Sequence, residues 1–179
     1  MKNFKNIVIK VVSTTLVAGL FIFISSFEIE TKNNNQLQGS WHLKEVNWIS
    51  SDTTHVLKKD KLGLLLFTED SYSIMWSPTE KPRAPFQKLS NPTNEEILKG
   101  FKSIVFNAGV YTKTDSTLNT TSIIAKVPGF EGGKQFYTYA FDANQLTLTM
   151  HDETYPNGEK PSWSGTWQTK FFFTKTILE

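Results

Sequence analysis

The chain of 179 residues has no cysteine. That excludes disulfides, thiolate metal sites and lipid attachment through a cysteine. Arginine is nearly missing too: Arg83 stands alone beside 18 lysines. Histidine is sparse, and His42, His55 and His151 are far apart, none with a second ligand-type residue at helical i, i+4 spacing. The run His151, Asp152, Glu153 does not supply a metal site, because consecutive strand residues point to opposite faces. It reads as the start of a polar loop. No Gly-x-Ser-x-Gly elbow occurs, and "GFEGG" at 129–133 precedes no helix, so it is a turn and not a phosphate cradle. No catalytic residue, metal or cofactor follows from these residues.

Long apolar runs are also scarce, and the one present is N-terminal. Lys2, Lys5 and Lys10 precede "VVSTTLVAGLFIFI", an uncharged, mostly apolar run of 14 residues, and Ser25 and Ser26 follow. This layout is that of a secretory signal over 1–26, too short for a span of about 20 apolar residues. The alternative is an uncleaved anchor. The formal charge is +2, from 19 basic and 17 acidic side chains. Loss of 1–26 removes three lysines and no acid, leaving 16 against 17, a net of −1. With no basic surface left over, a nucleic-acid partner has no electrostatic support. An exported protein is expected (periplasmic, cell-surface or secreted), with no stable membrane span once the signal is cleaved.

What the chain does contain is β pattern. Residues 27–38 read as a flexible leader, and 39–175 as one folded domain. Strands are expected near 40–48, 62–68, 71–76, 109–113, 120–127, 135–142, 145–151 and 165–174. In "QLTLTM", Leu146, Leu148 and Met150 share one face and Thr147 and Thr149 the other. The short "TED" and "DANQ" connections predict antiparallel hairpins. One helix is expected near 93–107: Pro92 and Thr93 open it, Glu95 and Glu96 lie in its first turn, and Asn107–Gly109 close it. Ile97, Phe101, Ile104 and Val105 would then form its apolar side. About eight antiparallel strands leave a closed barrel or a two-sheet sandwich.

The motifs "LQGSWHLKEV", "GLLLFTEDSYSIMW", "FNAGVYTKTDSTL" and "PSWSGTWQTKFFF" occur in an order that resembles the bacterial lipocalin-like domain family, over roughly 37–174. The Gly-x-Trp of Gly39 and Trp41 is similar to the first-strand signature of lipocalins and fatty-acid-binding proteins. The resemblance implies an all-β, antiparallel eight-stranded barrel with the helix inserted. It also implies a last-strand basic side chain over Trp41, a role assigned to Lys170. Many relatives carry a His pair on the strand that here reads "TTSIIAKV", so any role of those histidines does not carry over. On physical grounds Trp41 plugs the barrel's closed end, and Gly39 lets the chain turn in beside it.

The expected partner is a small apolar or amphipathic molecule bound non-covalently in the barrel. The candidate wall is Tyr72, Trp76, Tyr111, Tyr137, Tyr139 and Trp163, with Arg83 at the mouth for an anionic group. The helix and the Arg83 loop are expected to close one end, with Trp76, Arg83 and Tyr111 at the entrance. The alternatives are a barrel-type cyclase or isomerase acting on a small hydrophobic substrate, and a barrel filled by its own side chains as a structural or interaction domain. Ligand identity and oligomeric state are not legible in the residues.

Overall fold

The computed structural model describes residues 35–176. The proposed signal segment and most of the leader lie outside them. Eight strands follow in order: β1 (Gly39–Ile49), β2 (Thr54–Phe67), β3 (Ser71–Trp76), β4 (Val105–Lys113), β5 (Thr117–Ala125), β6 (Lys134–Asp142), β7 (Gln145–Thr154) and β8 (Gln168–Lys175). A single described helix, α1 (Asn94–Lys102), falls between β3 and β4. Each strand pairs antiparallel with the next, and β8 closes on β1. The sheet is a barrel without edges, and the sandwich alternative is excluded.

Alternation fills the interior. Trp41, Leu43, Leu65, Ile74, Leu146, Leu148, Phe171 and Phe173 point inward from five strands and are buried. Close approach of neighbouring strands is built into two glycines. A Cβ on Gly63 would lie 2.3 Å from Trp76 Cβ, and one on Gly109 would lie 2.0 Å from the Thr121 carbonyl oxygen.

The two ends differ. At one end the connections are tight: 68–70, 114–116 and the two-residue turn Ala143–Asn144, where Ala143 takes φ 49°. The same end holds the N-terminus of β1. Trp41 is 1% exposed there, its indole 5.9 Å from the Phe141 ring. Leu37, expected to be part of a flexible leader, is buried beside it and receives the Trp41 Nε1–H on its carbonyl. The cation over the indole is Lys175, with Nζ 5.1 Å from the ring centre. Lys170 does not fill that role. It lies five residues earlier, between Asn47 and Thr149, with its ammonium over Phe172. The opposite end is bounded by the longer segments 77–104, 126–133 and 155–167.

Helix α1 is shorter than its sequence pattern. Thr93 caps it in a capping box with Glu96, and it ends at Lys102 with Ser103 as C-cap. Ile104 and Val105 therefore lie outside it, and Val105 begins β4. The remaining apolar face is about half exposed, with Ile97 50% and Phe101 44% exposed. The expectation that this face docks over the barrel mouth is not met.

Candidate functional site

The interior is not uniformly apolar. From the β4–β7 side, Asn107, Thr120, Ser122, Gln135 and Glu153 all project inward toward the longer-loop end. Two β-bulges arrange this. Between β6 and β7 the register passes from Tyr137↔Met150 to Phe136↔Asp152, so His151 is the extra residue. Leu146, Leu148 and Met150 face inward, and strict alternation would carry Asp152 inward with them. The bulge resets the parity and sends Glu153 inward opposite Gln135. The strand also continues to Thr154, so "HDE" is not the start of the loop. A second bulge, at Ile123, lies between Ala108↔Ile124 and Gly109↔Ser122.

Asp152, turned outward, accepts from Lys160 at 2.5 Å and from Ser164 at 2.6 Å, which hold its carboxyl down at about 2. Glu153 has the opposite environment. Burial pushes its carboxyl above the usual glutamate value, partly offset by Gln135, and Asp152 raises it further. Among the described residues it forms no ion pair.

A directed chain of hydrogen bonds ends on this carboxylate. Tyr72 donates its phenol to Asn107 Oδ1 at 3.0 Å, and Asn107 Nδ2 donates to Gln135 Oε1 at 3.2 Å. Tyr137 donates to the same oxygen at 2.9 Å, and Gln135 Nε2 donates to Glu153 Oε2 at 2.7 Å. An ionised carboxylate only accepts, and that sets both amides in the orientation seen. Burial pushes the Tyr72 phenol up to about 12 and Tyr137 well above its ordinary value, so both remain protonated donors. Two further buried hydroxyls, Thr120 Oγ1 and Ser122 Oγ, make no hydrogen bond, although Thr120 lies close enough to Tyr72 to temper its pKa.

The cluster opens on a cavity of about 270 Å³ at the longer-loop end. Its polar wall includes Asn107, Gln135 and Glu153, and its apolar wall includes Val105, Phe130 and Tyr155. A larger hollow of about 400 Å³ lies against the outside of the barrel. It is lined by the outward side chains His42, Leu64 and Met75, together with Arg83 and Ile104.

The expected wall residues separate into five places. Tyr72 and Tyr137 belong to the polar cluster. Trp76 packs inside near the same end, against Trp48 and Phe171. Tyr111 and Tyr139 lie at the tight-turn end, where their phenols donate to the Thr68 and Thr114 carbonyls. Tyr111 is therefore not at the entrance. Arg83 is exposed outside the barrel with Nε on Ser103 Oγ, and Trp163 sits in the 155–167 segment. Sequence reasoning missed Asn107, Gln135 and Glu153. The alternation of β6 alone would have shown Gln135 on the Tyr137 face.

A family model described as the lipocalin-like domain matches residues 38–174. The chain belongs to that family. No curated protein matches this lipocalin-like chain. Among solved structures it is similar to an uncharacterised protein from Bacteroides eggerthii, at 14% identity and a TM-score of 0.40, covering 78% of this chain and 99% of that one. It is also similar to a lipocalin-like protein from Bacteroides uniformis, at 14% identity and a TM-score of 0.39, covering 78% and 98%. No helix among the described residues of this lipocalin-like chain is long and apolar enough to cross a membrane.

Proposed function

We propose that the protein is exported and binds a small amphipathic molecule non-covalently, polar end on the Tyr72–Asn107–Gln135–Tyr137–Glu153 cluster and apolar body toward the mouth. The observation that carries this is the cavity at the longer-loop end, whose wall joins the polar side chains of Asn107, Gln135 and Glu153 to the apolar ones of Val105, Phe130 and Tyr155. A concave site with an apolar wall and a few convergent polar groups is the usual form of a small-molecule pocket. The other half of the interior is filled by Trp41, Leu43, Phe171 and their neighbours, so the ligand is small.

Native mass spectrometry of the protein purified from its own cells tests this. A bound small molecule that leaves on denaturation is expected. A bare polypeptide mass, with no apolar dye taken up by the folded protein, would point instead to a structural barrel.

A second reading, turnover of a small hydrophobic substrate, is favoured by one feature. Glu153 is a partly buried carboxyl with a raised pKa beside the cavity, the environment of a general acid or base. Recovery of a chemically altered molecule after incubation would select it.

A further inference from the structure

Glu153 is a negative charge without a positive partner, placed at the cavity end of a chain of donors. Its Oε2 accepts one hydrogen bond, from Gln135, and no described residue donates to Oε1. Its nearest acidic neighbour is already neutralised, because Asp152 faces outward onto Lys160. The one cation lining the same cavity is Lys126, and its ammonium is committed elsewhere. Lys126 Nζ donates to the Ile104 carbonyl at 2.7 Å and stands 4.4 Å from the centre of the Phe101 ring. A partly buried carboxylate in this state gains from a group that supplies the opposite charge.

A metal ion does not fit, since no group of three or more His, Cys, Asp or Glu among the described residues is placed to hold one. The apolar wall suits an organic cation better. Phe130 and Tyr155 form an edge-to-face pair, with ring centres 6.4 Å apart and planes at 85°, on the rim of the same cavity. Aromatic faces attract ammonium groups within about 6 Å.

Resting on the binding function proposed above, we propose that the ligand is a protonated amine, its ammonium paired with Glu153 and its apolar body against Phe130 and Tyr155. Gln135 and Asn107 position the carboxylate. The phenols behind them hold the amides in the orientation that leaves Glu153 purely an acceptor.

Calorimetry on the whole chain with three matched probes tests the assignment. Phenethylamine, phenethyl alcohol and phenylpropionate present similar apolar bodies with a positive, a neutral and a negative head. The amine is expected to bind at least about tenfold tighter than the alcohol, the return on one charge-assisted pair. Phenylpropionate is expected to bind weakest. In Glu153→Gln, a near-isosteric change, amine affinity should fall to that of the alcohol while alcohol affinity is kept, which also reports that the cavity is intact. Equal affinities for amine and alcohol, retention of the preference in Glu153→Gln, or tightest binding of phenylpropionate would overturn the amine and leave a binding cavity. Failure of all three to bind would overturn both the amine and the cavity.

Discussion

Gln135 and Glu153 face each other across β6 and β7, and the Gln135 amide donates to the Glu153 carboxylate at 2.7 Å. The contact exists because the bulge at His151 turns Glu153 inward. It brings a carboxylate into the polar cluster, and both the stability and the chemistry of the site depend on that charge.

The pH dependence follows from its sign. Burial raises the Glu153 pKa in the folded state, so the folded protein favours the protonated form. Below about pH 4 both states are protonated and the group contributes nothing unfavourable. As pH rises through the raised pKa, ionisation of the folded state lowers stability. Glu153→Gln is therefore expected to be more stable than the parent at pH 7, by no more than about 1 kcal/mol because the carboxyl still meets solvent, with the gain vanishing near pH 4. Urea unfolding at the two pH values measures it. A variant less stable at pH 7 would show that the carboxylate is favoured, not tolerated.

Trp41 is the plug of the tight-turn end. Trp41→Ala is expected to lose about 3–5 kcal/mol, the usual cost of emptying a buried aromatic site. Guanidinium unfolding would give the value, and a loss below about 1 kcal/mol would remove the indole from the core.

Lys175, and not Lys170, is coupled to that indole. A double-mutant cycle pairing Lys175→Met with Trp41→Phe should show a coupling of about 0.5–1 kcal/mol, the range for an exposed cation over a ring. The same cycle with Lys170→Met should show none. Equal couplings would contradict the register of β8 against β1.

The error over Lys170 shows where sequence reasoning stops. A last-strand basic residue was legible, but which lysine reaches Trp41 depends on the pairing of β8 with β1, and no alternation pattern carries that. The period-2 pattern of "QLTLTM" did show the faces of most of β7, and the short turns showed their hairpins. The first half of β2 was hidden because "KKDK" at 58–61 reads as a polar loop, whereas an irregular stretch opposite Lys44 lets Leu57 and Leu62 both reach the core. The helix was over-extended because Ile104 and Val105 continue its apolar spacing while belonging to the barrel. Tyr72 and Tyr137 were legible as candidate wall residues. Glu153 was not, because one inserted residue reverses the face of everything beyond it.

Helix α1 should be among the least protected elements. It has no buried residue, and its stability rests on the Thr93 cap and the Glu95–Lys99 pair at 2.7 Å. Hydrogen exchange of 94–102 is expected to be much faster than that of β1 or β8, and Thr93→Ala should accelerate it further by removing about 1 kcal/mol of capping. Protection equal to that of the strands would mean that the apolar face is covered in solution.

The export proposal rests on residues outside those described by the structure. N-terminal sequencing of the protein recovered from its own cells should begin close to Phe27. Intact Met1 in a membrane fraction would show an anchor.

The central claim is that ligand enters the barrel at the polar cluster. Amide chemical-shift mapping during titration with phenethylamine and phenethyl alcohol tests it most directly. The account predicts that the shifts concentrate on residues 105–107, 120–122, 130–137 and 153–155, with the outer wall at 42, 64 and 75 unmoved. Shifts confined to the Arg83 hollow on the outer wall, or no shifts with either probe, would contradict it.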